Sequence, residues 1–152
     1  MHIHKVTDVE QMKEISTNVR KGILSLVYNT KGPHLGSAFS CVEVLVALYW
    51  RFLNVLSKYP DDPNRDKFIF SKGHASPALY AVLHEAGFLT DNDIDGFAVN
   101  GGIFEQHPNL DISRGVEVST GSLGHGLSVG AGMALAAKRD NLTNRVCVLI
   151  SD

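Results

Sequence analysis

Residues 115–132 read G-V-E-V-S-T-G-S-L-G-H-G-L-S-V-G-A-G, and this stretch decides how the fold of the chain is interpreted. It passes through a Ser-Thr-Gly-Ser turn into an alanine-rich helix that ends with Lys138 and Arg139. Small side chains let a backbone come close to another helix or to a flat ligand. A glycine-rich turn before a helix also favours anion binding. Taken alone, the stretch favours a plain packing helix, and the ligand-binding alternative needs further features.

Two apolar runs predict strands. Phe68-Ile69-Phe70 predicts a short strand, and V-C-V-L-I at 146–150 predicts a strand buried on both faces, as in a parallel sheet. Helical patterns lie between them, so we expect an α/β fold with a mostly parallel sheet flanked by helices. Ligands gather beyond the carboxyl ends of such strands. There the sequence places S-K-G-H at 71–74 and Ser151-Asp152.

Helix starts are predicted from capping patterns. Three capping boxes are present: Thr7 with Glu10, Ser40 with Glu43, and Thr90 with Asp93. Ser76 is predicted to cap a further helix that has Pro77 at its first position. The helix from Val42 to about Phe52 is apolar nearly all round, which predicts burial. Residues 97–122 show little periodicity, and so long an irregular loop indicates a functional segment.

Composition limits the classes of protein. The 152 residues, 44% of them hydrophobic, predict one domain with a sizeable core. A net charge of -2 and a pI near 6.4 provide no electrostatic footprint for nucleic acid or an anionic membrane. The longest apolar stretch, 42–56, contains two charges and is too short to span a bilayer. Cys41 and Cys147 lie in apolar runs, which predicts buried reduced thiols and a cytoplasmic location.

Four of the seven histidines stand beside Gly or Pro in a loop or at a helix start: His34, His74, His107 and His125. We expect them to converge on a polar pocket, since imidazoles transfer protons near neutral pH. A metal site is the alternative, but zinc-type spacing is absent outside the N-terminal tail. Asp152 follows an apolar strand and suits either a Mg²⁺ ligand or a strand-end turn residue.

Taken together, the motifs resemble the N-terminal, thiamin diphosphate-binding part of transketolase. Four motifs match in type and order: G-P-H-L-G-S at 32–37, S-K-G-H-A-S-P-A-L-Y-A at 71–81, Q-H-P at 106–108 and the segment 115–136. The first motif is equally similar to deoxyxylulose phosphate synthase, whereas S-K-G-H-A favours transketolase. The resemblance implies the α/β thiamin diphosphate-binding fold of that family, in part.

The resemblance also implies roles for the loop histidines. His34, His74 and His107 match family residues that line the channel above the thiazolium ring, contact substrate hydroxyls and assist proton transfers. On this resemblance His74 also touches the cofactor. Position 125 is His where the family usually has Gln, and we carry it over as a cofactor-binding position.

Further cofactor and metal positions are implied in the same way. Gly121, Ser122 and Leu123 match the turn that meets the cofactor, with Gly121 contacting the aminopyrimidine and Leu123 packing on the rings. Ser122 stands where many transketolases have Pro. Asp152 matches the first metal ligand of the family's diphosphate motif, although Ser151 stands where Gly is usual.

The implied activity is thiamin diphosphate- and Mg²⁺-dependent transfer of a two-carbon ketol unit between sugar phosphates. Residues 1–152 are expected to be a truncated N-terminal part, without the pyrimidine-binding and C-terminal domains. A C-terminal transketolase subunit, a homodimer or both are the expected partners. Two alternatives stay open: a non-catalytic homologue that binds a partner chain, and a component similar to deoxyxylulose phosphate synthase. An unrelated dinucleotide-binding domain is disfavoured, because no G-x-G-x-x-G follows the first strand.

Overall fold

The computed structural model describes residues 5–55 and 57–151. These ranges contain six α-helices and two strands: α1 (Val9–Thr30), α2 (Leu35–Phe39), α3 (Val42–Ala47), β1 (Lys67–Phe70), α4 (Ser76–Glu85), α5 (Asp91–Asp95), α6 (His125–Arg139) and β2 (Val146–Leu149). A π-helical turn, Leu48–Phe52, continues α3, and 3₁₀ turns span Gly73–Ala75 and Ile112–Arg114.

The two strands pair in parallel, as the apolar runs predict. Lys67 lies opposite Val146 and Phe70 opposite Leu149, and α6 precedes β2 on the connection between the strands. This arrangement confirms the α/β class. The prediction that 146–150 is buried on both faces is wrong, because every residue of β2 is only partly buried and Ile150 is exposed. Within the described residues, β2 has β1 as its only sheet neighbour, so its other edge is uncovered.

The core forms around α4, whose residues 76–83 are all buried. Helix α1 packs against α4, and Gly22 allows the two to approach: a Cβ built on Gly22 would lie 3.3 Å from the Ala81 Cβ. The inward face of α1 is Val19, Ile23 and Leu26. This packing fixes α4, and with it the loop that leads into α4 from β1.

The capping patterns differ in outcome. The Thr90 and Asp93 box is confirmed at the start of α5, with both reciprocal hydrogen bonds formed. Helix α1 is capped by Asp8, whose carboxylate accepts from the Glu10 N–H at 3.3 Å, so the prediction of Thr7 is one residue out. Both side chains can cap a helix, and Asp8 has the extended backbone that the position requires.

The other two predicted caps are wrong. The hydroxyl of Ser40 donates to a carbonyl of α2, and Glu43 pairs with Arg20 on α1, so no capping box opens α3. Ser76 is the first residue of α4, not its cap, and its hydroxyl donates to the Gln106 carbonyl. In each case a tertiary partner or a nearby carbonyl takes the side chain that local pattern assigns to the helix end.

The segment Leu35–Phe52 is apolar and long enough, by length and composition alone, to cross a membrane. It is interrupted between α2 and α3, and Val42, Leu45 and Val46 are buried in the core. This is the pattern of a helix packed inside a globular core. The predicted burial all round is wrong, because Val44 and Phe52 lie on the outer side and are about half exposed.

The cysteines are both free. Cys41 is buried as predicted, but Cys147 lies on β2 and shares its partial exposure. Burial raises the pKa of both thiols.

Asp66 joins the beginnings of the two strands. Its carboxylate is 3% exposed and accepts from the Asn54 N–H at 2.7 Å and from the Arg145 N–H at 2.7 Å. The Arg145 guanidinium also donates to it, with Nε at 3.0 Å. Burial alone would raise the pKa of Asp66, but these hydrogen bonds from Arg145 and Asn54 outweigh it and hold the pKa below its ordinary value.

Candidate functional site

His74 lies just beyond the carboxyl end of β1. The chain leaves the strand through Ser71 and Lys72, makes the 3₁₀ turn Gly73–Ala75 and enters α4. Ser71, Lys72 and Gly73 are buried, whereas His74 is only partly buried. A rigid strand and a packed helix therefore hold one imidazole at the end of the sheet, where α/β folds place ligands.

His34 approaches His74 from the loop between α1 and α2. The ring centroids are 5.2 Å apart, with an interplanar angle of 66°. The backbone of His34 has φ of +74°, a left-handed conformation that is uncommon for a residue with a side chain. Such conformations are typical of functional sites, where surrounding structure holds them.

His107 is brought to the same place by the long irregular loop. A Cβ built on Gly121 would lie 3.3 Å from the His107 Cδ2, so the imidazole packs directly on this glycine. The neighbours of His107 are tied on both sides. Ser76 donates to the Gln106 carbonyl, and the Thr120 N–H donates to the Pro108 carbonyl at 2.9 Å.

Gly73 joins the turn that carries His74 to the turn at Gly121. A Cβ built on Gly73 would lie 2.9 Å from the Gly121 nitrogen and 2.9 Å from the Thr120 carbonyl carbon. Only a glycine permits such backbone contact. The predicted convergence is thus confirmed for His34, His74 and His107.

His125 does not join them in the cleft described next. It is the exposed first residue of α6, and its N–H donates to the Ser122 carbonyl at 3.4 Å. The predicted convergence of four histidines is therefore wrong in this one member, because the helix start turns the residue away from the cleft.

The three imidazoles line a cleft of roughly 310 Å³ between the end of α1, the start of α4 and the 106–107 loop. Its other lining residues are Val27, Thr30, Gly32, Pro33, Ser76, Pro77, Phe97 and Gln106. The lining contains no lysine, arginine or carboxylate. Hydroxyl, amide and imidazole groups of this kind hydrogen-bond a neutral polyhydroxylated molecule.

Electrostatics keep one imidazole neutral. Burial lowers the pKa of His74, and the positive charges of His34, Lys72 and His107 lower it further. A neutral imidazole can accept a proton, and the neighbouring imidazoles can donate hydrogen bonds to the same molecule. The cleft therefore has the chemistry of a proton-transfer site.

We expect His74 to titrate below the ordinary histidine pKa of about 6.5. Because the unfolded chain then binds the proton at a higher pH than the folded chain, the contribution of His74 to stability is complete above about pH 6.5. It falls as the pH drops towards the folded-state pKa. The midpoint is measured by NMR titration of the imidazole Hε1.

His34→Ala removes one of the positive neighbours and is expected to raise the His74 midpoint towards its ordinary value. His84→Ala is the control, because His84 pairs with Asp91 at 2.9 Å near the far end of α4. A His74 midpoint at or above 6.5 in the unaltered chain, or one that His34→Ala leaves in place, would contradict the assignment.

The turn that follows Thr120 has room for a flat ligand. Leu123 is 59% exposed, and a Cβ built on Gly124, which has φ of +84°, meets no atom within 4 Å. Gly121 and Ser122 are also exposed. The Thr120 hydroxyl is buried and has no hydrogen-bond partner in the described part of the chain. An apolar side chain, open backbone and an unsatisfied hydroxyl fit a planar, hydrogen-bonding cofactor.

A metal site is not visible in residues 5–55 and 57–151, which contain no group of three or more His, Cys, Asp or Glu that could hold an ion. Asp152 lies outside the described residues, so the prediction that it binds a metal stays a prediction.

The glycines of α6 serve packing at two positions. The Gly126 N–H donates to the Ser71 hydroxyl at 3.0 Å, and a Cβ there would lie 2.5 Å from the Ser71 Cβ. A Cβ on Gly130 would lie 2.4 Å from the Val148 Cγ2. Gly132, in contrast, meets no atom within 4 Å. The close approach expected from this stretch is thus made to the sheet, which fixes the turn at 121–124 over the end of β1.

Two residues that no motif singles out also contribute. Glu117 and Arg65 form an ion pair with side chains only 4% and 1% exposed. The one sequence signal is a charge inside the alternating apolar run before Ser119. Its partner, 52 residues away, follows no local pattern.

Comparison with known proteins gives one family. Residues 11–146 match the family described as "Transketolase, thiamine diphosphate binding domain". One of the two subunits named for an apulose-4-phosphate transketolase of Phocaeicola vulgatus is 42% identical over 144 residues, which are 95% of this chain and 51% of that protein. Human transketolase is 32% identical over 145 residues, 95% of this chain and 23% of that protein.

Solved structures agree. Transketolase from Campylobacter jejuni aligns with a TM-score of 0.88 and 27% identity, covering 96% of this chain and 24% of that one. Transketolase from Leishmania mexicana aligns with a TM-score of 0.84 and 29% identity, covering 98% of this chain and 23% of that one. The chain spans about half the length of the subunit-type relatives that it matches and about a quarter of the full-length ones.

Proposed function

Because this chain belongs to the family of transketolase thiamin diphosphate-binding domains, we propose that it is the cofactor-binding component of an enzyme that transfers a two-carbon ketol unit between sugar phosphates. One observation carries the proposal: the backbone contact of Gly73 with Gly121 unites three imidazoles with the exposed turn at 121–124. Proton-transfer groups and a seat for a flat cofactor thus share one end of the sheet.

Thiamin diphosphate, when bound, supplies an electron sink for breaking and forming a carbon–carbon bond. The chain's own residues act around it. Neutral His74 accepts a proton from a substrate hydroxyl, while His34 and His107 orient and hydrogen-bond the hydroxyls in the cleft. Leu123 provides apolar contact area for the rings, and Gly121 leaves space for the aminopyrimidine beside the backbone.

A divalent cation, Mg²⁺, belongs to the same proposal, with Asp152 as one ligand. Magnesium in enzymes is commonly held by one or two carboxylates together with phosphate oxygens. The described residues add no ligand cluster of their own. Ser122 and His125 are proposed as further cofactor contacts, because they flank the exposed turn.

The partner we propose is a second subunit that carries the pyrimidine-binding region, with or without a second copy of this chain. The relative from Phocaeicola vulgatus is named as one subunit of its transketolase, and this chain covers about half of it. Sugar phosphates are the proposed substrates, and the cytoplasm is the proposed location.

Calorimetric titration with thiamin diphosphate and Mg²⁺ tests the proposal, with the chain alone and with a candidate partner subunit. We expect saturable binding that His74→Ala weakens and that His84→Ala, far along α4, leaves unchanged. Turnover of a ketose phosphate by the two subunits together supports catalysis over a purely partner-binding role. Absence of cofactor binding in both arrangements would refute the proposal.

A further inference from the structure

The loop that carries His107 and ends at the cofactor turn is largely self-contained. Asp111 and Val116 exchange two backbone hydrogen bonds, each 2.9 Å long. The Thr120 N–H donates to the Pro108 carbonyl, and the Leu110 N–H donates to the Ser119 hydroxyl at 2.8 Å. These bonds close the loop on itself, so they set its shape but leave its position relative to β1 open.

Glu117 connects this loop to the start of β1. It pairs with Arg65, which directly precedes Asp66 and the strand. Arg65 is itself held by backbone: its Nε donates to the Pro60 carbonyl and its Nη1 to the Asp66 carbonyl at 3.1 Å. A carboxylate on the loop is thus attached to a guanidinium that is anchored to the strand.

The pair is poorly suited to stabilising the protein. Both charges are out of water, and Arg65 Nη2 has no hydrogen-bond partner in the described part of the chain. Removing two charges from water costs about as much as their attraction returns, and apolar replacements of similar volume are often neutral or stabilising. What a buried pair does supply is a specific geometry, since only one arrangement satisfies both charges.

We propose that Glu117 is a positioning residue for the cofactor turn: its pairing with Arg65 sets the height of the loop over β1. Four residues later the same backbone reaches Gly121, on which His107 packs and against which Gly73 fits. A shift of Glu117 therefore moves Gly121 and His107 together relative to His74. This inference rests on the proposed function of the turn.

The test compares three variants. Arg65→Met combined with Glu117→Leu removes both charges and fills the space. Glu117→Asp keeps the charge and shortens the arm by one methylene. Arg114→Gln is the matched control, because Arg114 lies in the same loop and pairs with Asp93 and Asp111 in a more exposed setting.

Binding of thiamin diphosphate with Mg²⁺ is measured under the conditions in which the unaltered chain binds, and thermal unfolding is measured in parallel. We expect the double variant to melt within about 4 °C of the unaltered chain and to bind the cofactor about tenfold more weakly. Glu117→Asp weakens binding in the same direction, and Arg114→Gln leaves it unchanged. Unaltered binding in both Glu117 variants overturns the proposal.

NMR spectra of the ligand-free chain separate this inference from the function on which it rests. The Gly121 amide and the His107 Hε1 resonances are expected to shift in the double variant and in Glu117→Asp, but not in Arg114→Gln. If the unaltered chain binds no cofactor, the proposed function fails, and these resonances alone decide the positioning role. Unchanged resonances in both Glu117 variants refute it, including the case in which only Glu117→Asp folds.

Discussion

Replacing Gly73 by alanine is expected to reduce ketol transfer about 100-fold, since a displacement of about 1 Å at a reacting group has that effect. The new methyl group would lie 2.9 Å from the Gly121 nitrogen and from the Thr120 carbonyl carbon, both of them backbone atoms. It would push apart the two turns that hold His74 and the cofactor seat. Overpacking of this kind also lowers the free energy of unfolding by about 1–3 kcal/mol.

The measurements are turnover with the partner subunit, cofactor titration and chemical denaturation. Gly132→Ala is the control, since its built Cβ meets no atom within 4 Å and the residue lies inside α6. Alanine there is expected to raise stability by about 0.5–1 kcal/mol through helix propensity. A Gly73→Ala protein with unaltered turnover and stability would show that the contact between the turns is dispensable.

Asp66→Ala is expected to lower the free energy of unfolding by about 2–4 kcal/mol, the largest stability loss that we predict. The substitution leaves the N–H groups of Asn54 and Arg145 without their acceptor and releases the Arg145 guanidinium. Because these groups precede both strands, the parallel pair loses its common anchor. Urea denaturation gives the difference.

The pH dependence provides a second check on Asp66. Its folded-state pKa lies below the ordinary value, so its contribution is complete above about pH 4 and is lost as the pH falls through the folded-state pKa. The difference between Asp66→Ala and the unaltered chain should therefore shrink in acid. Asp61→Ala, on the exposed part of the same loop, should change stability by no more than about 0.5 kcal/mol. Equal losses from both substitutions would rule out the anchoring role.

Features that depend on neighbouring residues could be predicted. The box of Thr90 and Asp93 needs only residues three apart, and the strand at Phe68–Phe70 is a local apolar run followed by a turn. His74 could be placed at the sheet end because its motif directly follows that strand. These predictions use short-range geometry, which the order of residues determines.

Contacts between distant segments could not be predicted in this way. Nothing near Gly73 in the sequence indicates that its neighbour is Gly121, and nothing near Arg65 indicates Glu117. The predicted cap at Ser76 was wrong for the same reason, because its hydroxyl pairs with a carbonyl 30 residues away. Tertiary packing decides such partners, and a single sequence contains no record of it.

The parallel pairing of β1 and β2 has a consequence for synthesis. The ties between the strands join positions 79 residues apart, as in the contact of Asp66 with Arg145. At about 5–20 residues per second, β1 waits on the order of 4–16 s for its neighbour to be translated. During that interval α1, α3 and α4 can already pack, but the backbone N–H and C=O groups of β1 stay unpaired and open to other nascent chains. Co-translational aggregation is therefore a hazard of this topology, and the early helical layer is what shields the waiting strand.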